Sequence, residues 1–274
     1  MNARPFLLAA AWLVLGFLVL PMAVVLPVSL TDRPYLSLPE HAISLRHYAK
    51  FFVDPAWTRS MLQSLLIAAA ATFAAVAFGG LCAVACWRLS NRLSVPVRLL
   101  MLAPLVVPTV VQGLAMYRFW AAIGLFDTYA GVILAHTLIG MPYVVITVSA
   151  SLAGFDLKLE QAARNLGASF PATIRLVILP AILPGLVSGA LFAFVTSFDE
   201  VVIVLYITSR SIQTLPKRMW DGLQDRIDPT VAAVAMILIA ATFAALLLEA
   251  GLRRRRVARR WAERSEPVPA LAGG

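Results

Sequence analysis

From Pro184 to Tyr206 the chain reads PGLVSGALFAFVTSFDEVVIVLY, a run in which Asp199 and Glu200 are the only charged residues. A helix needs about 20 apolar residues to cross roughly 30 Å of hydrocarbon, so this stretch reads as a membrane span. Working outward, comparable runs cover residues 6–30, 61–86, 99–123, 130–151 and 230–250. The expected architecture is all-α and integral to the membrane, with six transmembrane helices over residues 1–252 and a tail over 253–274.

Composition agrees. Of 274 residues, 61% are hydrophobic and 14% charged, where a soluble domain carries about 25% charged residues. A water-soluble enzyme and a disordered chain are both excluded. The first run could be mistaken for a signal peptide, but its apolar part is about twice the usual length and no A-x-A-like cleavage site follows, so it reads as an anchored helix bent by Pro21 and Pro27. Cys82 and Cys86 lie inside an apolar run and can build neither a disulfide framework nor a four-ligand zinc site.

The net charge of +9 is decided by where the charges lie. With the N-terminus in the cytoplasm, that side holds Arg4, Arg88, Arg92, Arg98, Lys158, Arg164, Arg175 and the seven arginines between Arg253 and Arg264. The other side holds Arg33, Arg46, Lys50, Arg59, Arg210, Lys217, Arg218 and Arg226, while Arg118 falls within a span. The imbalance places both termini in the cytoplasm. Directly after an apolar helix, the run from Arg253 to Arg256 reads as a stop-transfer anchor against anionic lipid rather than as a nucleic-acid patch, and Ser265 to Gly274 read as a disordered end.

Three connections are longer than turns. Between the first two spans, Leu45, Tyr48, Phe51 and Phe52 recur at near-helical spacing and predict a short interfacial helix. Residues 207–229 carry no legible motif. The third connection, residues 152–183, is cytoplasmic. In it Leu159, Ala162, Ala163 and Leu166 fall at i, i+3, i+4 and i+7, opposite Lys158, Glu160, Gln161, Arg164 and Asn165. Gly167 stands where a C-cap glycine belongs. Ser169 and Pro171 open a second helix with the face Phe170, Ile174, Val177 and Ile178, which Pro180 and Pro184 are expected to end. Two helices about a glycine corner make either a knob that takes force from a soluble partner or a loop packed on its own bundle.

The residues Gln161-Ala162-Ala163, then Gly167, then Val177-Ile178-Leu179-Pro180 resemble the EAA signature of permease subunits of bacterial ABC importers. That resemblance implies a coupling helix that docks in a groove of the ATP-binding subunit, with Glu160, Gln161, Ala162, Ala163, Gly167, Leu179 and Pro180 as the coupling residues. The family's glutamate position is held here by Gln161, with Glu160 just before it. The resemblance further implies as partners a second permease subunit, an ATP-binding subunit dimer and a periplasmic solute-binding protein, in a bacterial inner membrane.

The chain contains no G-x-x-x-x-G-K-[ST] phosphate loop and no H-E-x-x-H, so ATP-driven work requires another chain, and no catalytic residue, metal or cofactor is expected. His136, inside the fourth span, reads either as a hydrogen-bonded residue facing the bundle or as a ligand or proton carrier. Within the fifth span, Asp199 and Glu200 read in one of three ways: a negative lining for a cation, an ion pair with Arg118, or a helix break that leaves them in interfacial water. Carboxylates in a span cost at least ~2.5 kcal/mol and usually face a cavity or a partner. The run Ser197-Phe198-Asp199-Glu200-Val201-Val202 resembles the same stretch in the second permease subunit of spermidine/putrescine-type importers, which implies a polyamine or related small cation. Tyr117 and Trp120 could add cation–π contacts along the pathway or form an interfacial aromatic belt. Gly185 and Gly189 permit close helix contact. A permease for an amino-acid derivative is the alternative within this class. A secondary transporter should show inverted repeats, and a membrane enzyme should cluster polar groups at one interface; neither pattern is found.

Overall fold

In the computed structural model the described residues are 4–89 and 92–265, and all their regular structure is helical. In chain order the helices are α1 (Arg4–Ser29), α2 (Arg46–Val53), α3 (Pro55–Leu89), α4 (Ser94–Leu102), α5 (Thr109–Ile123) and α6 (Tyr129–Ala153). They continue as α7 (Leu157–Asn165), α8 (Phe170–Thr173), α9 (Leu179–Asp199), α10 (Val202–Ile207), α11 (Leu215–Asp221) and α12 (Thr230–Ser265). Five helical stretches are long and apolar enough to cross a membrane, and α4 with α5 supplies a sixth crossing when the two are counted together.

The chain divides into two compact units, residues 54–224 and a unit formed by both chain ends. In the larger one, α3, α6 and α9 pack closely because small residues face each other. A Cβ on Gly79 would stand 3.1 Å from the Val144 Cβ, and one on Gly140 would stand 3.2 Å from the Ala193 Cβ. At Gly185 and Gly189 it would lie 2.6 Å from the Thr147 carbonyl and 2.8 Å from the Val144 Cα, so the expected close contact is made, against α6. Apolar bilayer tails give little drive to bury large side chains, so backbone approach of this kind is what holds membrane helices together. Val144, Val148, Leu152, Ile178 and Ile182 fill the gaps.

Two expected spans are not single helices. The third, expected over residues 99–123, is α4, a short turn over Ala103–Leu105 and then α5, with a bend of 102°. Pro104 and Pro108 stand at the break, where neither supplies an N–H to a continuous helix. Carbonyls freed there are taken by the Gln112 amide, which donates to Pro104 O at 2.8 Å and Val107 O at 2.7 Å. The fifth span begins earlier than its apolar run and ends sooner. Pro180 does not stop a helix, because a wide π turn over Ile174–Ile178 carries the chain from α8 into α9 without interruption, and Pro184 lies further on, inside α9. Wider turns accommodate a missing N–H, which suits Pro180 directly after the turn.

In the second unit α1 runs through Pro21 and Pro27, and the predicted interfacial helix is α2, with His47 and Phe51 buried. The Ser29 and Tyr48 hydroxyls share a hydrogen bond of 2.7 Å, and Lys50 Nζ pairs with Asp228 at 2.8 Å. The last helix, α12, extends beyond the apolar run as far as Ser265. The end of the tail, residues 266–274, lies outside the described residues.

Candidate functional site

The glycine corner forms as its residues dictate. Asp156 caps α7, its carboxylate accepting the Lys158 N–H at 2.9 Å. At the other end Gly167 has φ +86°, and its N–H donates to Arg164 O at 2.9 Å while that of Ala168 donates to Ala163 O at 3.0 Å. These are the two bonds of a Schellman cap, which requires a left-handed residue at that point.

Both faces of α7 are largely exposed, so its apolar side is not turned inward. Leu159, Ala162 and Leu166 are exposed, Leu166 to 89%, as are Gln161, Arg164 and Asn165. Glu160 is the buried member, its Oε1 2.6 Å from Arg88 Nη2 at the end of α3. That guanidinium also lies 4.5 Å over the Phe170 ring, so one arginine ties α7 to α3 and to the start of α8. In sequence Arg88 reads only as a cytoplasmic charge; its partner is 72 residues away and no local pattern joins them. Leu179 and Pro180 are exposed and belong to the helix after the π turn, about 15 Å along from Phe170 at helical rise.

The carboxylates of the fifth span stand at a break. Helix α9 ends at Asp199, Glu200 is extended, and α10 begins at Val202. Glu200 Oε1 accepts the Ile203 N–H at 2.9 Å and so caps α10. Asp199 is exposed and has no hydrogen bond or ion pair among the described residues, and Arg118, also exposed, makes no pair with it. Two residues earlier, Ser197 Oγ and His136 Nδ1 share a buried hydrogen bond of 2.8 Å, which fixes the end of α9 against α6. His136 is thus the bundle-facing residue of the two readings. Tyr117 is half-exposed and meets Phe126 edge-on at 5.5 Å. Trp120 is buried, with its Nε1–H donating to Gly131 O at 2.9 Å, so it holds α5 to α6 and presents no face to a solute here.

Within the connection over residues 207–229, which has no motif in sequence, the stretch from Thr208 to Lys217 is organised by polar side chains of the larger unit. The Asp127 carboxylate accepts the N–H groups of Ser209, Arg210 and Ser211 at 2.9, 3.1 and 3.0 Å. Burial works to raise its pKa, but those N–H donors outweigh it and hold the carboxyl below its usual range. Lys217 is buried and donates to Thr208 Oγ1 and Ser209 O at 2.7 and 3.0 Å; burial pushes its pKa down, against the attraction of Asp221 and Asp127.

Residues 75–258 match the family described as binding-protein-dependent transport system inner membrane component. The chain is 29% identical over 247 residues to the spermidine/putrescine transport system permease protein PotC of Haemophilus influenzae, covering 90% of this chain and 96% of that one. It is 33% identical over 256 residues to the molybdenum transport system permease protein ModB of Mycobacterium bovis, covering 85% and 95%. The fold matches that of a bacterial ABC transporter involved in the import of the acidic polysaccharide alginate, with a TM-score of 0.67 at 15% identity, over 90% of this chain and 96% of that one. The protein therefore belongs to the inner membrane components of binding-protein-dependent transport systems and is a permease subunit of an ABC importer, not an enzyme.

Proposed function

We infer that the chain carries a polyamine or a related small cation through the membrane, in a complex with a second permease subunit, a pair of ATP-binding subunits and an external solute-binding protein. The observation that carries the substrate is Asp199, an exposed carboxylate with no partner among the described residues, at a helix break in a span. A carboxylate so placed attracts an ammonium group and repels an oxyanion such as molybdate, which separates the two kinds of relative on charge. Glu200 and Tyr117 complete the lining in this reading.

Coupling runs through the corner at Gly167. Exposed Gln161, Ala162, Leu159 and Leu166, with Ala163 beside them, form the surface offered to an ATP-binding subunit, while Glu160 positions the helix from within. Leu179 and Pro180 carry the movement into α9. The charge asymmetry supports cytoplasmic termini, with residues 253–274 as a basic tail against lipid headgroups. The test is purification of the complex from native membranes, mass spectrometry of its subunits and bound solute, and uptake into proteoliposomes containing it. Spermidine or putrescine uptake that needs ATP and a binding protein supports the reading; uptake of molybdate in their place overturns the substrate.

A further inference from the structure

The larger unit has a second polar feature at its opposite end. Helix α3 spans about 50 Å at helical rise; Arg88, beside α7, is near its C-terminus, and a pocket of about 300 Å³ opens at its N-terminus. Arg59, Ser60 and Gln63 of α3 form one wall, and Arg210, Gln213 and Arg218 form the other.

These walls are fixed. Gln63 Oε1 accepts the Gln213 N–H at 2.9 Å, and its amide nitrogen donates to the Tyr129 hydroxyl at 2.7 Å. Arg218 Nε donates to Ser60 Oγ at 2.9 Å, and its guanidinium lies 5.5 Å over the Trp57 ring. Carboxylates tied into this network are already engaged, Asp127 by three backbone N–H groups and Asp221 by the Gln213 amide. Three guanidinium groups thus meet in one pocket whose lining, among the described residues, contains no acid. The side chains of Arg59 and Arg210 and the terminal nitrogens of Arg218 have no acceptor among the described residues.

Like charges held together without an acid make a site for an anion, and forked guanidinium donors match a carboxylate or an oxyanion. A polyamine is repelled there, so the pocket is not part of the solute's path. Arg59 and Arg210 stand exposed at the rim, which suits a side chain delivered on a second protein surface better than a small anion held by enclosure. The geometry points to a docking pocket for a carboxylate side chain of the solute-binding protein, at the end of the bundle remote from the ATP-coupling corner. This rests on the reading that the chain receives its solute from such a protein.

The test compares the reconstituted complex with its Arg59→Glu/Arg210→Glu variant, both exposed positions, using the binding protein that supports wild-type uptake. The concentration of binding protein giving half-maximal uptake rises tenfold or more in the variant, the maximal rate changes less than twofold, and raising salt narrows the difference. Sulfate is titrated in parallel against the thermal stability of both complexes. Unchanged half-saturation overturns the docking pocket; if sulfate at the same time stabilises wild type only, the site belongs to a free oxyanion. Absence of uptake in wild type with any binding protein overturns the transport reading itself, and the docking pocket with it.

Discussion

Arg88 Nη2 and Glu160 Oε1 are 2.6 Å apart, and this pair holds the helix before Gly167 against the end of α3. Glu160 is nearly buried and Arg88 also stacks on Phe170, so the contact links three elements. Removing one partner leaves the other poorly solvated, and hydrogen bonds between charged groups contribute about 1.5–3 kcal/mol. Glu160→Ala therefore lowers coupled uptake severalfold while the complex still assembles. The swap Arg88→Glu with Glu160→Arg recovers part of it. A double-mutant cycle on uptake and on stimulated ATP hydrolysis measures the linkage, and additive single effects would show that the pair does not position α7.

Gly167 gives a cleaner substitution series, because a Cβ there meets nothing within 4 Å and the only penalty is its φ of +86°. Left-handed backbone costs an L-residue about 1–2 kcal/mol, less for Asn. Pro adds loss of the N–H that binds Arg164 O and a fixed φ near −65°. Stimulated ATP hydrolysis and uptake should fall in the order Asn, Ala, Pro, with Pro inactive. Full uptake by Gly167→Pro would remove the corner from the coupling path.

Acid should loosen the segment after α10. The folded pKa of Asp127 lies below its usual value of 3.8, so the unfolded chain binds the proton more readily. Stabilisation by this carboxylate is complete above about pH 4 and is lost as pH falls through the folded pKa. At neutral pH, Asp127→Asn reproduces the acid state, since an amide oxygen cannot replace a charged acceptor of three N–H groups. Hydrogen exchange at Ser209, Arg210 and Ser211 quickens in that variant, and unchanged exchange would show that the segment is held by Gln63 and Lys217 instead.

What was legible in sequence follows the range of the interaction. Hydropathy marks the spans because each backbone segment must satisfy its own polar groups in lipid. The Gly167 corner is equally local, being written in six consecutive residues. The Glu160 partner was not legible, since Arg88 lies 72 residues away and reads as one more basic residue near a membrane. Helix breaks depart from the proline pattern in both directions. Pro104 and Pro108 interrupt the third span although its averaged hydropathy is unbroken, whereas α9 contains both Pro180, placed directly after the π turn, and Pro184 without ending at either. Of the aromatic candidates, Trp120 carries a packing role set by Gly131, a residue outside its own helix.

Asp199 and Glu200 can be separated although they are adjacent. Glu200 does structural work through its cap on Ile203, and a glutamine keeps an acceptor there while removing the charge. Replacement by alanine removes both and costs α10 about 1 kcal/mol, typical of a lost N-cap. Asp199 has no such contact, so Asp199→Asn changes charge alone. If the pair attracts a cation, Asp199→Asn and Glu200→Gln each raise the half-saturating polyamine concentration severalfold, and the double variant raises it further, with thermal stability near wild type. Glu200→Ala lowers stability as well, and that difference separates capping from attraction. Uptake measured for spermidine and putrescine in all four variants decides the matter: if only Glu200→Ala is impaired, the carboxylates serve the helix break and not the solute.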